Sequence, residues 1–277
     1  MSARVLQRII VRMLFDPTLV AAVYADADTA LRDEDVTSVE RSWLTAIDPR
    51  RWRADPHRQA RALHGLVQEF PVSAAVYRRT APLDTLLRYF SSSDFHACIM
   101  TGDSLAVVFG GWLQKALGNA HPVGALETMI CARRRQVRRG LTPGSDWALN
   151  PAIDADHFPF GTLAYYDTVL RTVSRAESSL LEYLLAGTAG ETDAFQGGSD
   201  SEALVIEVTD TGGVGDASPE LVNLLRRLRY GATHADVLSE LSTAGMETDE
   251  ALELLKTLEG EGLIVQVAGV LEPISFV

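Results

Sequence analysis

The stretch from 202 to 267 constrains the fold more than any other part of the chain. "EALVIEV" (202–208) is a short β-branched run that reads as a strand, and the turn-rich "TDTGGVGDA" follows it. Ser218-Pro219 then starts a helix with Leu221, Leu224, Leu225 and Leu228 on one side. Thr233-x-x-Asp236 caps a second helix carrying Val237, Leu238 and Leu241. "TAG" turns the chain into a third helix with Leu252, Leu255 and Leu258, and "LIVQV" closes as a strand. A strand, three short helices and a closing strand predict a winged-helix-like arrangement.

The third helix has the wrong charge for nucleic acid. It carries Glu247, Asp249, Glu250, Glu253, Glu259 and Glu261 against a single Lys256. Duplex binding is dominated by phosphate neutralisation, so an acidic docking helix is repelled. The other use of such a fold is to bind polypeptide. An extended segment adds to the sheet edge at "LVIEV" and lays side chains in a groove against the third helix. An acidic groove suits a peptide with basic residues.

The preceding sequence reads as helical. Asp16-Pro17 is a helix start, with aspartate as N-cap and proline at the first helical position. "TSVERSWLTAID" holds the capping pattern Thr37-x-x-Glu40 and places Trp43, Leu44 and Ile47 on one face. Further helices are predicted over Ala60–Glu69, Leu83–Phe90 and Leu105–Leu117. Between 118 and 160 the periodicity weakens and four prolines appear, so this region reads as an inter-domain connection. "GTLAYYDTVL" (161–170) is ambiguous between helix and strand, and "GTAGETDAFQGGSDS" (187–201) reads as a flexible loop. The expected fold is therefore mostly α, with a helical domain over 1–150 and a small α+β winged-helix-like domain over 151–277. Charge supports the division: the first part holds 19 basic and 15 acidic residues, the second 6 and 22.

No apolar run approaches the roughly 18 residues needed to span a bilayer. Arg8 and Arg12 interrupt the apolar start at helical spacing, so it reads as an amphipathic first helix and not as a signal peptide. Two cysteines, Cys98 and Cys131, make neither a disulfide framework nor a metal cluster, which suits the cytoplasm.

Candidate chemistry is sparse. The cluster Arg133, Arg134, Arg135, Arg138 and Arg139 has no interleaved aromatics for base stacking and reads as a solvated or protein-docking face. Gly102-Asp103-Ser104-Leu105 matches the nucleophile tetrapeptide of a lipase and esterase family, and Asp154-x-x-His157 matches its Asp–His pair. That family is an α/β sheet protein with its nucleophile near the chain start, and here about a hundred helical residues come first. His57 and His64 are roughly 10 Å apart along a helix, too far to share one ion. The residues predict no catalytic group, no metal ligand and no cofactor in this chain. Besides a peptide-binding protein, the live alternatives are a transcriptional regulator with a helical sensing domain and a hydrolase at Ser104.

Several stretches taken together resemble a known family. "LFDPTLVAAVYADADTAL", "DVTSVERSWLTAIDP", "QEFPVSAAVY", "FPFGTLAYYDTVL" and the terminal "LRRLRYGATHADVLSEL" through "LLKTLEGEGLIV" look like the partner subunits of multinuclear non-heme iron oxidases. Such pairs modify ribosomally made peptides in the methanobactin and 3-thiaglutamate pathways. The resemblance covers most of the chain through diffuse patterns with no invariant catalytic motif. It implies that iron resides in a separate oxidase, that this chain presents the precursor peptide, and that the C-terminal domain holds the peptide leader. The positions matching the peptide-binding element are the strand Leu204, Val205, Ile206, Glu207 and Val208, with Leu252, Leu255, Lys256 and Glu259 on the third helix.

Overall fold

Short-range caps set where the N-terminal helices begin. In the computed structural model, which describes residues 3–118, 121–135, 141–175, 195–208 and 213–267, the elements are α1 (Ala3–Phe15), α2 (Pro17–Ala25), α3 (Ala27–Ala30), α4 (Ser38–Ala46), α5 (Pro49–Trp52), α6 (Arg58–Gln68) and α7 (Pro71–Thr80). After a 3₁₀ helix (Leu83–Ser91) come α8 (Ser93–Thr101), α9 (Leu105–Leu117) and α10 (Pro122–Arg134). Asp16 accepts from the Thr18 amide at 2.8 Å, and Thr37 with Glu40 forms a reciprocal capping box. The helix expected over 83–90 is thus a 3₁₀ helix.

The chain divides into two compact units, Met1–Cys131 with Tyr166–Thr192, and Ala132–Tyr165 with Asp193–Val277. The division lies before the boundary expected at 150, and one later segment returns to the first unit. On this division the charge contrast narrows, to 16 basic against 18 acidic residues in the first unit and 9 against 19 in the second.

The first unit buries an aromatic cluster in which Tyr89 meets Phe109 at 5.1 Å and Phe90 meets Phe95 at 5.4 Å between ring centroids. Phe70 packs edge-on against Phe109, and α9 passes this ring at Gly110, where a Cβ would stand 2.6 Å from Phe70. A neighbouring cluster gathers Ile9, Met13, Val23, Leu31 and Leu44. Trp43 does not join it. Glu40 and Leu44 form the inward stripe of α4, and Trp43, about 100° round the helix from Leu44, is 58% exposed.

The second unit contains β1 (Trp147–Leu149), β2 (Ile153–Pro159), β3 (Ser201–Glu207), β4 (Val214–Asp216), α12 (Pro219–Leu228), α13 (His234–Thr243), α14 (Thr248–Gly260) and β5 (Ile264–Gln266); α11 (Thr162–Ser174) starts in it. The ambiguity over 161–170 is resolved as helix. The pattern of strand, three helices and closing strand stands as expected, within a mostly α protein that has a small α+β part. Ser218 accepts from the Leu221 amide and Thr233 from the Asp236 amide, so both predicted caps are present.

β1 and β2 lie where a connection is expected from the sequence, and β4 lies within the expected turn-rich loop. The first two are strands because of distant partners: β1 pairs antiparallel with β5, and β2 with β3. One core holds Ile153, Ala155 and Ala203 of the sheet against Val222, Leu225 and Leu228 of α12, with Val237, Ala251, Leu255 and Leu258 behind. The expected loop over 187–201 falls outside the described residues up to 194, and 195–200 has no regular structure. No helix among the described residues is long and apolar enough to cross a membrane.

Candidate functional site

A strand accepts an added peptide only along an edge whose backbone groups are unpaired. The sheet order is β2-β3-β4, so β3 is the middle strand. Asp154 stands opposite Ile206 and Asp156 opposite Leu204 on one side, while Val205 stands opposite Gly215 and Ile206 opposite Val214 on the other. Leu204 and Ile206 are fully buried, Val205 packs against the core, and the Val208 amide donates to the Ala152 carbonyl at 3.0 Å. The expectation that Leu204, Val205, Ile206, Glu207 and Val208 offer a free edge is overturned. Both sides of this strand are occupied.

Two outer edges remain, and they differ. Since β2 turns the backbone of Asp154, Asp156 and Phe158 toward β3, its Ala155 and His157 amides face outward. Neither is free. The Ala155 amide donates to Asp154 Oδ1 at 2.9 Å and the His157 amide to Asp156 Oδ1 at 2.9 Å. Arg229 Nη2 closes the Ala155 carbonyl from the acceptor side at 2.7 Å. Side chains have shut this edge.

The edge of β4 is different. The Glu207 amide donates to the Gly213 carbonyl at 2.8 Å and the Ala217 amide to the Ala203 carbonyl at 2.9 Å, so odd-numbered positions face β3. The N–H and C=O groups of Val214 and Asp216 therefore point away from the sheet. Among the described residues no strand pairs with them. Sequence reading passed over this edge because "GGVGD" carries turn residues and a three-residue strand has no periodicity to detect.

Behind β2, a buried ionic cluster holds the sheet to α12. Asp154 lies between Arg229, with Nη2 2.9 Å from Oδ1, and Arg133, with Nε 3.4 Å from Oδ2. Asp156 takes Arg226 at 3.1 Å and Arg229 at 3.3 Å. Arg133 is only 6% exposed, so it is not the solvated residue expected of the arginine cluster; Arg138 and Arg139 lie outside the described residues. Burial pushes the Arg133 guanidinium below its usual range, Asp154 opposes that shift, and Arg229 adds to it.

The third-helix positions split. Leu255 is a core residue, 1% exposed, and is unavailable to a ligand. Leu252 and Glu259 are half-buried and Lys256 is exposed, with Gln266 Nε2 donating to Glu259 at 3.3 Å. The helix laid across β2 and β3 is α12, whereas α14 packs chiefly on α13 and β5. A groove between β3 and α14 is therefore not formed.

Gly102-Asp103-Ser104-Leu105 makes the joint between α8 and α9, with Gly102 in the left-handed conformation that ends α8. Asp154 and His157, three residues apart on β2, point to opposite faces, so the carboxylate does not orient the imidazole. His157 Nε2 instead lies 2.8 Å from Asn223 Oδ1. His64 pairs with Gln68 through a ring nitrogen at 3.0 Å.

No protein-family model matches this chain, and no characterised protein matches it.

Proposed function

We propose that this protein is a non-catalytic partner that receives the leader of a ribosomally made precursor peptide along the outer edge of β4 and presents the peptide to a separate non-heme iron oxidase. The observation that carries the reading is the asymmetry of the three-stranded sheet: one outer edge is closed by Asp154, Asp156 and Arg229, and on the other no strand among the described residues pairs with Val214 and Asp216. Asp216 on this edge is exposed, as are Glu247, Asp249 and Glu253 in the same acidic unit, and such a surface favours a leader with basic side chains. The resemblance to oxidase partner subunits supplies the oxidase and the cysteine-containing precursor; the helical unit would dock the oxidase, and iron would belong to the oxidase alone.

The reading expects a cysteine-containing precursor to be encoded beside this chain, and the test is fluorescence anisotropy with its labelled leader. Val214→Pro and Asp216→Pro each delete one outward N–H, and the pairing with β3 runs through the other positions. At least one of the two variants weakens binding more than tenfold while the circular dichroism spectrum is kept. Equal affinity in both would remove the β4 edge from the reading. Val205→Pro and Ile206→Pro are unsuitable, since each deletes a hydrogen bond inside the sheet. Near-stoichiometric iron in the chain purified alone would overturn the assignment of the metal to the oxidase.

A further inference from the structure

Among the described residues of the first unit, the large apolar side chains left strongly exposed are Val39, at 56%, and Trp43, at 58%. Single exposed apolar residues are ordinary. These two stand one turn apart on the same face of α4, about 6 Å along the axis, and so form a ridge. Beyond the end of α4 lies a shallow cleft of about 250 Å³ whose apolar walls are Val20, Ala21, Tyr24 and Pro49 and whose rim is Arg50 and Arg53. The two features are joined: the Tyr24 hydroxyl donates to the carbonyl of Ile47, just past α4, lies 3.3 Å from that of Leu44, and accepts from Trp52 Nε1 at 3.0 Å. Arg50, Arg51 and Arg53 are exposed, and none of their guanidiniums is held by an ion pair or hydrogen bond within the described residues.

We propose that this face docks an acidic, leucine-rich helix of a partner protein. The one-turn spacing of Val39 and Trp43 matches the ridge spacing of a helix laid against it. Tryptophan and arginine are the side chains that most often act as energetic anchors at protein interfaces. Unpaired guanidiniums around an apolar floor select carboxylates, which they bind by paired N–H groups. The surface belongs to the helical unit and stands independently of the strand-accepting edge of β4.

The probe is a synthetic fluorescein-labelled helix with leucines on one face and glutamates on the other, alongside a counterpart with every glutamate replaced by lysine. The glutamate peptide binds saturably to the full chain, shifts tryptophan emission to the blue, and binds at least tenfold more tightly than the lysine peptide. Trp43→Ala and the double variant Arg50→Glu/Arg53→Glu, both at exposed positions, lose at least tenfold in affinity with the fold intact by circular dichroism. The proposal is overturned by absence of saturable binding or by variants that bind like the parent chain. It is equally overturned if sedimentation shows a concentration-dependent dimer that the same substitutions abolish, for the occupant is then a second copy of this chain.

Discussion

Arg229 Nη2 lies 2.9 Å from Asp154 Oδ1 and 2.7 Å from the carbonyl oxygen of Ala155, so one guanidinium neutralises a buried carboxylate and closes the outer edge of β2. Asp154 also faces Arg133, and removing its charge leaves two guanidiniums opposed in a poorly solvated place. Breaking a buried pair by deleting one partner costs about 3–5 kcal/mol. Asp154→Asn is therefore expected to destabilise the second unit by about 3 kcal/mol. Asp156→Asn, at a more exposed carboxylate, costs about 1 kcal/mol or less. Thermal and urea melts of the two variants check the order, and equal losses would mean that Asp154 is not the hub.

Glu127 caps a helix from a distance. Its carboxylate accepts the buried amides of Val72 at 2.9 Å and Ser73 at 2.8 Å, in the first turn of α7, where the N-cap residue Phe70 has no side-chain oxygen to offer. Glu127→Ala strands both donors. At about 1–3 kcal/mol for each buried unsatisfied group, the expected loss is about 2–6 kcal/mol, and Glu127→Gln, which keeps one acceptor oxygen, loses less. Hydrogen exchange of the α7 amides is the measurement; protection unchanged in Glu127→Ala would show that water replaces the carboxylate.

Acid weakens the first unit in two stages. Burial holds the His96 imidazole below its usual range, helped by Arg12 and opposed by Asp16, and burial with Arg79 does the same to His121. A depressed folded pKa means that the unfolded chain binds the proton first, so stability is full above 6.5 and falls as the pH drops below it. For Asp16, burial raises the pKa, but hydrogen bonds from Thr18 and Ser91 outweigh it and leave a net lowering. Its contribution is lost as the pH falls below 3.8 through the depressed value. Melting temperature against pH should slope downward from pH 6.5 toward 5, less steeply in His96→Gln and flat in His96→Gln/His121→Gln. A double variant that keeps the parent slope would exclude these two groups.

Gly110 sets how closely α9 approaches Phe70 and α10. An added Cβ would stand 2.6 Å from two atoms of the Phe70 ring and 2.7 Å from Thr128 Oγ1. Overpacking of this kind typically costs about 1–3 kcal/mol. Gly110→Ala is expected to lose stability in that range, whereas Gly111→Ala, with open space around it, is neutral or slightly stabilising through helix propensity. A neutral Gly110→Ala melt would mean that the Phe70 ring moves aside at no cost.

Helix starts and turns were legible in the sequence because they are decided within about four residues. The aspartate before Pro17, the Thr37–Glu40 pair, and the caps at Ser218 and Thr233 each act on amides two or three positions away, so composition and spacing suffice to read them. The apolar stripes of α12, α13 and α14 were legible for the same reason. What only the tertiary structure decided is which strand is an edge. "LVIEV" reads the same with zero, one or two neighbours, and its neighbours come from β2, far before it, and from the three residues of β4. The charge of the arginine cluster was visible, but the burial of Arg133 against Asp154 was not, since an ion pair between distant segments leaves no periodic trace. Local hydrogen bonds and helical periodicity belong to the sequence; strand pairing and the desolvation of charges are set by which segments meet, and that is a property of the folded chain alone.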